Sequence, residues 1–179
     1  MQALHLCLAV TYILVVLLIS NDSAFAAKNV RKLSLRDLNG NRVRMSDYQG
    51  RIVVLNFWAT WCGPCKEELP RLGQMAERYA SQSVAFVLAS IDEEKKLEAV
   101  REYVVQQKVT LPVWVGANVD LLEQLSGKNV VPATLIIDDK GDIVRTINGE
   151  AREEDVKEAL DWLLNGKKGD APAEHVKRY

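Results

Sequence analysis

The chain has 179 residues, a length that suits one domain with ample material for a core. Charged residues make up 26% and hydrophobic residues 48% of it, which is an ordinary globular composition. The formal net charge of −1 gives no electrostatic reason to expect nucleic acid or an anionic lipid surface as a partner.

The first 26 residues differ from the rest of the chain. Leu4–Ile19 is almost wholly apolar, and Ala24-Phe25-Ala26 fits an Ala-x-Ala cleavage site. We therefore predict that residues 1–26 are a secretory signal peptide, although the segment before the apolar run has no Lys or Arg. The alternative is an uncleaved N-terminal membrane anchor, for which about 16 apolar residues is short against a span of roughly 20. Both alternatives predict a periplasmic location for the rest of the chain.

Two short strands are predicted next. Lys32–Leu38 alternates apolar and polar residues, Asn39-Gly40 is a strong signal for a tight turn, and Arg42–Met45 is predicted to return as the second strand of a hairpin. The nearly continuous apolar run Arg51–Trp58 then predicts a strand that is buried on both faces of a covered sheet.

Helices and strands alternate over the rest of the chain. The spacing of apolar residues predicts a helix at Lys66–Ala80, and Ser83–Ile91 is predicted to be a second buried strand. Asp92 is predicted to cap a helix over Glu93–Gln107. The remaining predicted elements are a strand at Thr110–Val115, a short helix at Leu121–Leu125, antiparallel strands at Ala133–Asp138 and Ile143–Ile147, and a last helix at about Glu153–Leu164.

This order of elements predicts a three-layer α/β domain over residues 27–166, in which crossover helices connect parallel strands and a terminal hairpin and helix follow. Residues 167–179 are polar and rich in small residues, and we expect them to form a flexible C-terminal tail.

The motif Trp61-Cys62-Gly63-Pro64-Cys65 carries the chemistry of the chain. A strand that ends on two cysteines and opens a helix places the first sulfur at the helix N-terminus, where unpaired N–H groups and the helix dipole stabilise a thiolate. A thiolate attacks disulfides, and the second cysteine is close enough to displace the product. Cys62 is therefore the predicted nucleophile and Cys65 the predicted resolving thiol.

A structural disulfide and a zinc site are the two other functions that such a cysteine pair has in proteins. A structural disulfide across so few residues closes almost no loop and stabilises little. A zinc site needs about four ligands, and after cleavage the chain keeps no further cysteine and only His175. We therefore predict redox exchange with neither a metal nor another cofactor.

The sequence resembles the TlpA/ResA-like thioredoxin family of membrane-anchored or periplasmic thiol–disulfide oxidoreductases. The resemblance covers about residues 30 to 165. It implies a thioredoxin-like fold with an N-terminal hairpin and a central αβ insertion. It rests on the run from Asn56 to Lys66 followed by Glu68 and Pro70, on Val131-Pro132-Ala133-Thr134 with Leu135-Ile136-Ile137-Asp138, and on Gly141-Asp142-Ile143-Val144.

The resemblance also implies roles for residues around the cysteines. Pro132 is expected to be the family's cis-proline beside the active site, and Val131 is expected to offer its backbone to an extended substrate segment. Trp61 is expected to shield one side of the disulfide, with a surface-covering aromatic as the alternative. Gly63 permits close backbone approach and Pro64 presets φ in the first helical turn, and this dipeptide, which is thioredoxin's own, suggests a reductant.

Glu68 is a candidate proton shuttle, because it lies three residues after Cys65 on the same helix face and matches the family's Cys-x-x-Cys-x-x-Glu-x-Pro pattern. The alternative is an acid on the helix surface or one placed favourably near the helix N-terminus. The chain departs from classical thioredoxin at the buried acid, where it has Asn56, and at the companion lysine, where it has Leu88. Since Asn56 cannot titrate, proton transfer must use Glu68, water or the partner.

These observations favour a periplasmic reductase of disulfides in protein clients, which a membrane-embedded thiol donor would reduce again. The family's frequent client is the haem-binding Cys-x-x-Cys-His of apocytochrome c. A thiol oxidant that forms disulfides is the close alternative, because secretion places the pair in an oxidising compartment. A copper-delivery module on a thioredoxin scaffold is an alternative of another class, although the copper-delivery relatives carry a pattern that resembles Cys-x-x-x-Cys with a downstream histidine, whereas this chain has the shorter Cys-x-x-Cys spacing and no histidine in its core.

Overall fold

Residues 28–179, which the computed structural model describes, form eight strands, four α-helices and two short 3-10 turns. The strands are β1 (Ser34–Asp37), β2 (Arg42–Arg44), β3 (Ile52–Trp58), β4 (Val84–Ser90), β5 (Val113–Val115), β6 (Ala133–Ile137), β7 (Ile143–Gly149) and β8 (His175–Arg178). The helices are α1 (Gly63–Arg78), α2 (Leu97–Gln106), α3 (Val119–Ser126) and α4 (Glu153–Leu164), and the 3-10 turns are Met45–Tyr48 and Glu94–Lys96.

The strands form one mixed sheet in the order β2-β1-β5-β4-β3-β6-β7-β8. The central strands β3, β4 and β5 run parallel, whereas β6 is antiparallel to β3 and β7 is antiparallel to β6. All seven residues of β3 and all seven of β4 are buried, as expected where helices cover both faces of a sheet. The fold is therefore the predicted thioredoxin-like α/β fold, with the predicted hairpin at β1 and β2.

Each long helix buries one stripe of side chains against the sheet. In α1 the buried apolar residues Leu69, Leu72 and Met75 recur at helical spacing, and in α4 Val156 and Leu160 do the same. The helix α2 and the strand β5 form the predicted αβ insertion between β4 and α3. The C-terminal end of the central strand β3 and the start of α1 therefore lie next to each other, at one end of the strands of the sheet.

The prediction of a flexible C-terminal tail is wrong for residues 175–178. They form β8, which runs parallel to β7 at the edge of the sheet. Val176 is buried, and the Arg178 guanidinium donates two hydrogen bonds, of 2.8 and 2.6 Å, to the buried Asp155 carboxylate. Gly149 permits this pairing, because its φ is +95° and an added Cβ would lie 2.5 Å from the Arg178 carbonyl oxygen.

The predicted cap at Asp92 is also wrong. The 3-10 turn that precedes α2 begins after Glu93, and the Asp92 side chain bonds to Thr60 and Ser90 instead. The predicted signal peptide or anchor, residues 1–26, lies outside the described residues. Within residues 28–179 no helix combines the length and the apolarity that crossing a membrane requires.

Candidate active site

The two cysteines lie where β3 passes into α1. The helix begins at Gly63, so Cys62 is its N-cap residue rather than its first helical residue. The Cys62 N–H donates to the Ala59 carbonyl at 3.1 Å, which closes a turn after β3, and Pro64 occupies the first helical turn. The Cys65 N–H donates to Cys62 Sγ at 3.2 Å, so that a helix-terminal N–H group points at the first sulfur. This geometry stabilises a thiolate on Cys62.

Cys62 and Cys65 form a disulfide. Cys62 is 5% exposed and Cys65 is fully buried, so Cys62 is the more exposed of the two residues, although by a small margin. The residues around Cys62 are open: Trp61 is 66% exposed, Pro64 is exposed, and, apart from its chain neighbours and the backbone of its own helix, no described atom lies within 4 Å of the position a Cβ would take at Gly63. A partner chain can therefore approach Cys62 from this side.

The bond between Val131 and Pro132 is cis, as the resemblance implies. Pro132 precedes Ala133, which pairs with Phe57 near the end of β3, and this register brings the proline to the edge of the sheet that carries the cysteines. The Pro132 carbonyl accepts the Gly149 N–H at 2.9 Å. Val131 is half-buried, and its backbone makes no hydrogen bond to another residue within 28–179. Its N–H and carbonyl are thus available to an incoming chain.

Glu68 is fully buried, so the alternative of a helix-surface acid is wrong. Its Oε1 accepts hydrogen bonds from the Asn56 amide at 3.1 Å and from the Thr134 hydroxyl at 3.3 Å, and the same amide donates to the hydroxyl oxygen at 3.0 Å. The strand register explains this meeting, because Asn56 in β3 pairs with Thr134 in β6. On its other side Asn56 pairs with Leu88 in β4, which supplies no charge.

Burial raises the pKa of Glu68 to about 8, and the backbone N–H of Ala151 and the Thr134 hydroxyl lower it without cancelling that effect. Glu68 Oε2 and Asn56 Oδ1 have no hydrogen-bond partner of normal geometry among the described residues. A carboxyl group with this pKa, one helical turn beyond Cys65, can both accept and release a proton near neutral pH.

Thr134 and Arg71 are site residues that sequence reasoning left without a role. Thr134 belongs to the motif that follows Pro132, but only the pairing of β3 with β6 places its hydroxyl on Glu68. Arg71, one turn beyond Glu68 on α1, forms an ion pair with Glu150, and its charge lowers the pKa of Glu68. The helical spacing of residues 68 and 71 was the available signal for Arg71. Among residues 28–179 no three His, Cys, Asp or Glu side chains are grouped as ligands for a metal ion.

Comparison with known proteins yields a consistent set of similarities. Residues 26–146 match the AhpC/TSA family. The chain is 32% identical over 129 residues to the thiol-disulfide oxidoreductase ResA of Geobacillus thermodenitrificans, a match that covers 72% of each chain. It is 31% identical over 132 residues to ResA of Bacillus subtilis, covering 74% of this chain and 72% of that one. A solved structure of the exposed lipoprotein thioredoxin Etrx1 of Streptococcus pneumoniae is 27% identical, with a TM-score of 0.63 over 73% of this chain and 98% of that one.

Proposed function

Because the chain belongs to the AhpC/TSA family and is a thioredoxin-like thiol–disulfide oxidoreductase, we propose that it reduces disulfides of protein clients in the periplasm. One observation carries this proposal. The Cys62 sulfur lies at the N-terminus of α1, accepts a backbone N–H and has the exposed neighbours Trp61 and Pro64, and the pairing of β3 with β6 places the cis-proline segment at the same end of the sheet. That arrangement both activates a thiolate and leaves room for a polypeptide.

The exchange proceeds in two steps. The Cys62 thiolate attacks one sulfur of the client disulfide, a mixed disulfide forms, and the second client sulfur leaves as a thiolate. Cys65 then loses its proton and attacks Cys62 Sγ, which forms the Cys62–Cys65 disulfide and releases the first client sulfur. The client disulfide has gained two electrons and, once its thiolates are protonated, two protons, and the enzyme dithiol has lost the same number.

Glu68 takes the proton of Cys65 in the second step. The carboxylate is the only ionisable group in the hydrogen-bonded set of Asn56, Glu68 and Thr134, and it lies one turn beyond Cys65 on α1. Its raised pKa suits this role, because a base with a pKa near the working pH accepts and returns a proton at comparable rates.

The client binds as an extended segment beside Pro132. The free N–H and carbonyl of Val131 pair with its backbone, in the manner of a strand added to a sheet edge. Trp61 lies beside the reacting sulfurs and shields them in part, and Gly63 and Pro64, exposed on the same side, leave room for the main chain of the client. These are contacts with main chain and with sulfur, so they admit many clients, including the haem-binding segment of an apocytochrome c.

The location and the electron supply complete the proposal. Residues 1–26 direct the chain across the inner membrane, either as a cleaved signal peptide or as an anchor. The oxidised Cys62–Cys65 pair is reduced again by a membrane-embedded thiol donor. In keeping with this, the relative in Streptococcus pneumoniae is described as an exposed lipoprotein.

Reduction of insulin by dithiothreitol, followed as turbidity, tests the activity. We expect the wild-type chain to accelerate precipitation of the insulin B chain, and the Cys62→Ser variant to give the rate of dithiothreitol alone. Equal rates for the two proteins would contradict the reductase. A redox potential against glutathione close to that of a strong oxidant, about −120 mV, would favour the thiol oxidant instead.

A further inference from the structure

The carboxylate of Asp92 holds the segment that leads to the active-site cysteines. Asp92 follows β4 and is 7% exposed. Its Oδ1 accepts the Thr60 hydroxyl at 2.6 Å, and its Oδ2 accepts the Thr60 backbone N–H at 2.9 Å. Ser90 supplies a third donor, because its hydroxyl lies 2.8 Å from Oδ2, and it accepts the Asp92 N–H at 3.0 Å. The contact with Thr60 joins two loops that are 32 residues apart in the chain.

Thr60 stands two residues before Cys62, in the turn that ends on the helix N-cap. The Cys62 N–H closes this turn on Ala59, and the Ile91 N–H donates to the Trp58 carbonyl at 3.0 Å. Hydrogen bonds therefore hold the segment from residue 58 to residue 62 at three positions: Trp58, Thr60 and Cys62. Of these three, only the bonds at Thr60 are made by the side chain of another residue, which is Asp92. Without it the turn is held by its backbone bonds alone.

We propose that Asp92 is a positioning residue for thiol–disulfide exchange, which acts through Thr60 to keep Cys62 at the N-terminus of α1. This inference rests on the proposed role of Cys62 as the nucleophile. A helix N-terminus stabilises an anion only within about one turn, so a displaced Cys62 sulfur loses that stabilisation. A carboxylate suits the position, because it accepts three hydrogen bonds with two oxygens, whereas an asparagine amide offers one accepting oxygen.

Displacement of the loop and loss of the Asp92 charge shift the pKa of the Cys62 thiol in opposite directions, so a measurement of that pKa distinguishes the two effects. Loss of the Thr60 contacts destabilises the thiolate and raises the pKa of the Cys62 thiol. Loss of the nearby negative charge by itself favours the thiolate and lowers that pKa. The other charged groups that line the cavity beside Asp92 are Arg36, Asp37, Glu93 and Glu94, and on α1 Lys66, Glu67 and Glu68 follow the cysteines. All of these stay unchanged in the variants below.

The test uses the full-length chain with Cys65→Ala, so that in the secreted protein Cys62 is the reacting thiol. The rate of alkylation by iodoacetamide is measured against pH, and thermal unfolding is recorded for each variant. Asp92→Ala is expected to slow alkylation at pH 7 about fivefold and to move the midpoint of the pH profile upward. Thr60→Val, which removes the hydroxyl contact and keeps the backbone one, is expected to slow it about twofold in the same way.

Asp138→Ala is the matched control. Asp138 is likewise a buried aspartate, 2% exposed, that accepts backbone N–H groups, from Lys140 at 3.0 Å and from Asp142 at 2.9 Å. It follows β6 at the end of the sheet away from the cysteines, where Ile137 pairs with Val53. We expect this variant to unfold at a lower temperature and to keep the Cys62 profile of the parent.

Three results would overturn the inference alone, and a fourth would overturn it together with the proposed function. A folded Asp92→Ala variant with the parent profile would make Asp92 purely structural, and faster alkylation with a lower midpoint would make its effect one of charge. If Asp92→Ala does not fold, a parent profile in Thr60→Val is the overturning result. A parent in which Cys62 reacts no faster than an ordinary thiol would instead overturn the proposed function, and this inference with it.

Discussion

Glu68 is a carboxyl group with no exposed surface, held by one amide and one hydroxyl on neighbouring strands. Burial has the largest effect on its ionisation and raises its pKa from the ordinary 4.5 to about 8. In the unfolded chain the carboxyl group returns to water and to the ordinary pKa. The two states of the protein therefore bind different numbers of protons between pH 4.5 and 8, and folding is coupled to pH over that range.

The sign of this coupling gives a prediction for Glu68→Gln. Below pH 4.5 both states of wild type hold the proton, and Glu68 costs nothing; as the pH rises, the unfolded state ionises first and stability falls until about pH 8. Over this pH range we expect the free energy of unfolding of the oxidised wild type to fall by several kcal/mol, at most about 5, relative to that of Glu68→Gln. Urea unfolding at a series of pH values measures the difference.

Glu67→Gln is the control for this comparison, because Glu67 is the exposed neighbour on the same helix. It is expected to follow the wild-type pH dependence within a few tenths of a kcal/mol. If wild type and Glu68→Gln kept a constant difference from pH 4.5 to 8, the raised pKa of Glu68 would be wrong, and with it the main argument for a proton-transfer role.

Among the elements of the fold, β8 is stabilised by contacts with residues that lie far earlier in the sequence, such as Asp155, 23 positions before Arg178. Arg178 binds the buried Asp155 at the start of α4 through two hydrogen bonds, and Val176 packs into the core. Burial raises the pKa of Asp155, but the hydrogen bonds and the charge of Arg178 outweigh it and lower the pKa overall. The carboxylate is thus ionised and paired in the folded protein.

Arg178→Ala is expected to destabilise the fold by about 1–3 kcal/mol, because it leaves the Asp155 carboxylate buried without its partner. The exposed neighbour Lys177 provides the control, since Lys177→Ala removes a charge from the same strand and no contact with Asp155. Thermal unfolding compares the two variants, and insulin reduction should be unchanged in both. Equal unfolding temperatures would show that the ion pair does not hold β8.

The elements that could be predicted are those whose apolar pattern is local. The strands β3 and β4 and the helix α1 have long runs of correct period, so their place along the chain followed from the sequence. The strand β8 has only one buried apolar residue in four. It forms because Gly149 leaves space for the Arg178 backbone and Asp155 binds the Arg178 side chain. Its partners, not its own residues, determine that it is a strand.

The site, too, has residues whose place could be predicted from the sequence and residues whose place could not. The two cysteines and the cis-proline stand in motifs, and both the disulfide and the cis bond are as expected. Position 68 shares a helix face with the buried Leu69 and Leu72, which favours burial, but the amide and hydroxyl that donate hydrogen bonds to the Glu68 carboxyl group come from β3 and β6. Asp92 precedes a helical segment and was therefore interpreted as a cap, because the sequence does not show that Thr60 lies beside it.

For the whole molecule, the fold brings three parts of the proposed site to one end of the sheet. The end of β3 leads into the cysteines, the start of β6 carries the cis-proline, and Glu68 reaches the buried set between them. The helix end at Cys62 and the unpaired backbone of Val131 thus lie at the same end of the sheet, and the buried Glu68, the proposed proton acceptor, lies beneath them. We propose that this site attacks a client disulfide through Cys62 and releases the client through Cys65.

The most direct test is to trap clients in the native envelope with the Cys65→Ala variant. Without the resolving thiol, Cys62 is expected to hold its clients as mixed disulfides, which are seen as larger bands on non-reducing gels and vanish with dithiothreitol. The Cys62→Ala, Cys65→Ala double variant should show none of them. If Cys65→Ala formed no adduct that depends on Cys62, the account of this end of the sheet as the exchange site would be contradicted.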